Sequence, residues 1–195
     1  LSGVLFFGSC SSKDKSTPPK MATLYDTLGW FIQGAHSGVT IAGQGTVMIK
    51  DPDANQAQSG GQIEAGRFAI RTLIDSAVFV IAGDPKMAPY FPTLLGEVGA
   101  NNFTGYYALS KNFTDHVEDD ITGSTLYGGK SMKDAHNFSS NARFGSSTET
   151  AVNSADFDQF MSDVVTAATN LKIPTAVITR LGGILGSLKP VIVQR

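Results

Sequence analysis

The chain has 195 residues, 16% of them charged, and a formal net charge of −2. That length supports one well-buried core, and the even charge excludes an electrostatic grip on nucleic acid or anionic lipid as the binding principle. The single cysteine, Cys10, excludes an intrachain disulfide framework and any multi-cysteine zinc or iron–sulfur site.

Soluble domains usually carry roughly 25% charged residues. The sparser charge of this chain suits a secreted or self-associating protein. Leu1-Ser-Gly-Val-Leu-Phe-Phe-Gly-Ser-Cys10 is an apolar run ending in small residues and a cysteine, with a polar Ser-, Lys- and Pro-rich linker to residue 20. It resembles the end of a bacterial lipoprotein signal, with Phe7 where that signal usually has Leu and without its basic start. The other reading is an apolar arm that packs on the protein or on a neighbour. Both imply an exported protein, extracellular or periplasmic, and the first implies a lipid anchor at Cys10. No later apolar run approaches the ~20 residues of a bilayer span.

Residues 21–195 are expected to form one domain. Thr23-Leu-Tyr-Asp-Thr-Leu-Gly29 reads as a short helix closed by glycine. The following Gly-rich stretch contains the strand-like Val39–Ala42 and Thr46–Lys50, separated by Gly43-Gln-Gly45, a pattern compatible with a small β-hairpin. From Phe68 the residues Ile70, Leu73, Ile74, Ala77, Val78 and Ile81 recur at helical steps and stop at Gly83-Asp84-Pro85. Met87, Tyr90, Phe91 and Leu94 occupy a turn-rich corner, and Gly96 to Gly105 is a second Gly-rich separator. Tyr106, Leu109, Phe113, Val117 and Ile121 share the next helical face, stopped at Thr122-Gly123. The acids around Asp115 to Asp120 read as its solvated side. Ser131 to His136 is a short helical piece. Two further helices carry Phe157 to Leu171 with Val165 on the inner face, then Val177 to Leu188 before Pro190.

Phosphate-binding, dinucleotide and His-Glu-x-x-His patterns are missing from the sequence. The three histidines, His36, His116 and His136, are spread over a loop and two helices, so a three-histidine zinc site is discarded. The Asn-x-Ser/Thr triplets at Asn102, Asn112 and Asn137 read as composition.

His136 stands apart because of its company. Thr23 to Gly29, Asp84-Pro85, Tyr90-Phe91, Thr122-Gly123, Tyr127-Gly128-Gly129-Lys130, Met132, Lys133-Asp134-Ala135-His136 and Phe157 to Pro174 occur in an order and spacing that resemble the truncated, two-over-two haemoglobins of the group I-like kind. The resemblance implies an all-α globin fold and a haem cofactor with His136 as axial metal ligand. It also implies packing of Phe91 on the porphyrin face. Leu126, Tyr127 and Met132 would line the proximal side, and Lys130 would pair with a propionate. On the opposite side it places Val78, or Phe79 with a one-residue slip, where tyrosine is usual, and Leu109 where glutamine is common. Phe113 and Val117 share the Leu109 helix face. Without those polar groups a bound diatomic gas such as O2 loses its hydrogen bonds. Tyr106, Tyr107 or His116 would supply one in a different register.

Relative to that family, roughly 35 residues are inserted after Trp30, within about 31–66, and about ten more near 95–105. Two functions follow as expectations. One is an exported haem protein that binds a small gaseous ligand or serves redox or sensing, with oxygenase or peroxidase chemistry lacking a placed acid–base pair. The other is an extracellular self-assembling protein on a globin fold, a homo-oligomer or filament using residues 1–20 and 31–66 as contacts, because an unpaired strand invites pairing with a neighbour.

Overall fold

The computed structural model describes residues 20–34, 40–53, 60–139, 141 and 151–195. Cys10, the apolar start and His36 lie outside that set. Among the described residues the fold is helical with one two-stranded sheet: α1 Leu24–Ile32, β1 Met48–Lys50, β2 Gln62–Glu64, α2 Ala65–Gly83, α3 Pro92–Gly99, α4 Thr104–Thr122, α5 Met132–Ala135, α6 Ser154–Asn170, α7 Thr175–Gly186 and α8 Lys189–Ile192. A 3₁₀ turn, Ala88–Tyr90, joins α2 to α3. Helix α2 lies at the centre, packed on α1, α4 and α6, and α6 leans on α7.

Helix α1 opens with a capping box in which Thr23 and Asp26 exchange hydrogen bonds, satisfying amides that have no partner in the first turn. Asp26 is buried, and its other oxygen accepts from the amides of Gly43 and Gly45 at 2.8 and 3.1 Å. One carboxylate thus fastens the Gly43–Gly45 turn to the helix. Gly29 is not the stop that its residue type suggests, since α1 runs on to Ile32. Its lack of a side chain serves packing instead: a Cβ there would lie 2.5 Å from the Gln44 carbonyl oxygen and 2.7 Å from the Gly45 Cα.

A hairpin does form: one strand lies within the expected Thr46–Lys50, and its partner is Gln62–Glu64 in place of the residues before Gly43. Strand β1 pairs antiparallel with β2, Ile49 opposite Ile63, and residues 40–42 are not in a strand. The pairing extends into α2, whose first two amides donate to Val47 and Gly45 carbonyls at 2.8 Å. These N–H groups are orphans of helix geometry, so the residues leading into β1 supply the cap that the Glu64 side chain does not. One edge of β1 therefore finds its partner within the chain, in β2.

Helix α2 buries Ala69, Ile70, Leu73, Ile74, Ala77 and Ile81, the stripe that its periodicity predicts. It begins three residues earlier than Phe68, and those added residues include Arg67. Toward α4 its face is polar. Running antiparallel, Arg67 meets Asp115 and Glu118 at 2.6 and 2.7 Å, Asp75 accepts from Ser110 at 2.6 Å, and Phe79 meets Tyr106 with centroids 6.0 Å apart. Asp115 and Glu118 are 2% and 5% exposed, so these two acids do not belong to a solvated face, whereas Asp119 is half-buried and Asp120 exposed. The apolar residues Leu109, Phe113 and Ile121 are only half-buried. The helix is rotated relative to its apparent amphipathicity because the guanidinium of Arg67, once buried, draws its counter-charges inward.

Further along, Pro92 sits in the first turn of α3, a position whose missing N–H costs nothing. This places a helix where a turn-rich corner and glycine separator were expected. Gly123 closes α4 in the left-handed region at φ 75°, as its sequence predicts. In α6, Ala167 and Ala168 face the core and Val165 is 43% exposed, so the inner stripe is shifted from the one expected. Thr175–Ile192 is long and apolar enough to cross a membrane by length and composition, contrary to the expectation that no such run follows the N-terminal one. Here it divides into α7 and α8 and buries Val177, Leu181, Leu185 and Ile192.

The hairpin is tied to α2 by Asp51, whose two oxygens take both Nη atoms of Arg71, with side chains 0% and 4% exposed. Burial alone would raise the Asp51 pKa; the Arg71 bonds and the Asp53 amide outweigh it and hold the carboxyl below its ordinary 3.8. This contribution is present above 3.8 and is lost as pH falls through the lower folded value. Asp51→Asn leaves Arg71 buried and uncompensated, and we expect a loss of about 3–5 kcal/mol in urea unfolding at pH 7, shrinking as the pH drops below the ordinary carboxylate range. Gly29→Ala is expected to cost about 1–3 kcal/mol, read as a lower thermal midpoint, since backbone and not a flexible side chain blocks the new methyl.

Candidate functional site

Helix α5 is only four residues long. Ser131 caps it, accepting from the Asp134 amide, and His136 follows its last turn. The His136 ring is half-buried, and its Nδ1 lies 2.8 Å from the Met132 carbonyl oxygen. A carbonyl can only accept, so Nδ1 carries the proton and Nε2 presents its lone pair. Among the described residues nothing bonds Nε2. Burial pushes the ring's pKa below 6.5; the Met132 carbonyl works against that shift and the nearby His116 adds to it. The imidazole is thus neutral at neutral pH, with one nitrogen fixed and the other available, the state in which imidazole ligates metals.

The approach to α5 is built by Asp119. Its oxygens accept from the amides of Leu126 and Tyr127, each at 2.8 Å, and from the Ser124 hydroxyl at 2.7 Å. Burial would raise its pKa, and these three donors reverse the sign. The Tyr127 hydroxyl donates to the Lys130 carbonyl at 2.7 Å, bridging the paired glycines. Its ring lies 5.3 Å from that of His116 on α4. The Nε2 of His116 is buried without a hydrogen bond, 3.6 Å from Asp120 Oδ2. Residue spacing gives no sign that His116 meets Tyr127 or lies close enough to act on the charge of His136, because the end of α4, a loop and α5 separate the two histidines.

The remaining candidates divide by burial. Phe91, Val78, Phe113 and Met132 are half-buried and packed on the core, and Phe113 meets Phe160 with centroids 6.2 Å apart. Phe160 and Met161 extend this half-buried apolar surface, although their helical spacing marks them only as core. Val117 is 3% exposed and, with Phe113, lines an enclosed apolar cavity of about 20 Å³ among Leu28, Ile70, Leu73, Ile74, Ala77, Val164, Leu181 and Leu185. That volume holds roughly one water. Leu109 is half-buried without joining the core cluster, and Leu126 and Lys130 stand in solvent. Phe79, the one-residue alternative to Val78, is 70% exposed and points away. Tyr106 and Tyr107 are half-buried and lie against each other, Tyr106 facing Phe79 of α2 and Tyr107 facing Phe103.

Among the described residues no three His, Cys, Asp or Glu converge on a metal position. An iron porphyrin does not need that, since its own nitrogens occupy four positions and the protein supplies an axial nitrogen and apolar surface. His136 fits the first requirement by tautomer and charge, and the half-buried Phe91, Phe113, Met132, Phe160 and Met161 fit the second by chemistry.

No family model matches this chain, and no curated protein is significantly similar to it.

The Asp119 contacts carry their own test. Asp119→Ala leaves the Leu126 and Tyr127 amides without acceptors, and each lost bond is worth about 1 kcal/mol. Amide exchange at those two residues is expected to quicken roughly fivefold, with residues of α6 unchanged.

Proposed function

We propose that this chain is an exported haem-binding protein of the truncated globin type, holding iron through His136. The observation that carries the reading is the state of that side chain: Nδ1–H fixed on the Met132 carbonyl, Nε2 without a bond among the described residues, and a pKa moved down by burial. Two pairs of helices, α2 with α4 and α6 with α7, are compatible with a two-over-two globin. The Asp84-Pro85, Tyr127–Lys130 and Lys133–His136 stretches support it further. Export rests on the Leu1–Cys10 stretch, and Cys10 is the proposed anchor point.

Bound haem, held by His136, would supply the iron chemistry of binding a diatomic gas or passing an electron. The chain's own part is to hold His136 neutral, to keep its plane fixed through Met132, and to exclude water with the phenylalanine and methionine side chains. Val78 and Leu109 give no hydrogen bond to a ligand on iron, so the reading favours weak oxygen retention over oxygen storage.

Haemin added to the purified full chain should produce a Soret band with one haem per chain. His136→Ala is expected to weaken haem retention by more than the roughly 10–100-fold that loss of an outer-shell partner costs, with the circular dichroism of the helices retained. A protein that stays colourless with excess haemin, or a His136→Ala variant with an unchanged spectrum, rejects the reading.

A further inference from the structure

Tyr25 of α1 stands where β2, α2 and α4 meet. Its hydroxyl faces two carboxyl groups, Glu64 Oε2 at 2.7 Å and Glu118 Oε1 at 3.1 Å. A phenol has one proton to donate. Given to Glu64, the nearer oxygen, it leaves Glu118 Oε1 against the phenol's lone pairs, and that contact is attractive only when Glu118 brings a proton of its own.

The surrounding charges point the same way. Glu118 is 5% exposed. The titratable and charged groups facing it are Tyr25 from α1, Glu64 from β2, Arg67 from α2 and Asp115 on its own helix. Helix α7, which also touches α4, buries only the apolar Val177, Leu181 and Leu185. Arg67 is shared between Asp115 and Glu118, and Lys111 reaches only the far oxygen of Asp115 from a side chain that is 61% exposed. Inside the junction one guanidinium therefore faces three carboxyl groups. With Glu118 protonated, the Arg67 guanidinium is left to Asp115, and Glu64 lies at the half-exposed rim.

We propose that Glu118 is a protonated carboxyl at neutral pH, donating to the Tyr25 oxygen while Tyr25 donates to Glu64, and that loss of this proton loosens the β1–β2 insertion from the α2–α4 pair. On release the Glu118 O–H bond breaks and its proton passes to the Tyr25 oxygen. The phenol's original proton moves to Glu64 and from there to water, so Glu118 is left as the carboxylate and Tyr25 remains neutral. Burial moves the Glu118 pKa above its ordinary 4.5, with Arg67 and Tyr25 opposing and Glu64 adding to the rise. A carboxyl with a raised folded pKa contributes stability that is fully present below 4.5 and is lost as pH rises through the folded value. The device is independent of haem.

The full chain and Glu118→Gln decide it. The amide keeps a donor for Tyr25 and cannot titrate. At pH 7 the wild-type infrared spectrum should contain a protonated carboxylic acid band that Glu118→Gln lacks and that vanishes at higher pH. In urea unfolding, the wild-type unfolding constant relative to the variant should grow by up to tenfold per pH unit between 4.5 and the pH at which the band disappears, then level off. Taking the ratio cancels the other titrating groups. Amide exchange at Ile49 and Ile63 should quicken over the same range. If the acid band is missing at pH 7, or Glu118→Gln is destabilised by a constant factor at every pH, Glu118 is an ordinary carboxylate paired with Arg67 and the proposal fails. Should the variant not fold, the wild-type infrared titration and the shift of its acid band in Tyr25→Phe distinguish the same two states of Glu118.

Discussion

The buried guanidinium of Arg67 is the constraint to which the first half of the chain conforms. A charge removed from water must be matched within hydrogen-bonding distance or the fold loses several kcal/mol. Arg67 is matched by Asp115 and Glu118, and that match rotates α4 so that its acids face inward. One turn further along α2, Arg71 imposes the same demand and is met by Asp51 from the insertion. Residues 43–53 and 60–64 are consequently tied to the helices through Asp26, Asp51 and Glu64.

This rotation of α4 shapes the candidate site. With Arg67 and Asp75 of α2 taking Glu118, Asp115 and Ser110, Phe113 of α4 reaches Phe160 of α6 and, like Ile121, stays half-buried against the core. The same turn brings His116 to the ring of Tyr127. The haem reading rests on a neutral imidazole whose second nitrogen has no bond among the described residues, together with half-buried apolar side chains on the core. The electrostatics of one face of α4 thus prepares the chemistry of the other.

Local signals in the sequence are legible where the governing physics is local. The capping residues Thr23 and Ser131, the stripe from Ile70 to Ile81, the Gly123 terminus and the short helix before His136 depend on neighbours within a turn or two. Strand pairing, the role of Gly29 and the fate of Asp115 and Glu118 depend on residues roughly 15 to 50 positions away. Sequence periodicity has no access to such partners. Gly29 has the appearance of a helix stop because glycine often is one, and its true constraint is the backbone of Gln44 and Gly45 passing within contact distance.

At His136 the division is the same. The sequence by itself determined that a histidine would follow a short helix behind a glycine pair, since caps and turns are encoded next to one another. Only the tertiary structure decided that its Nδ1 is fastened, that its ring is neutral, that His116 stands near it, and that Leu126 and Lys130 point to water. Tautomer, charge and neighbours depend on burial, and burial is a property of how distant helices pack.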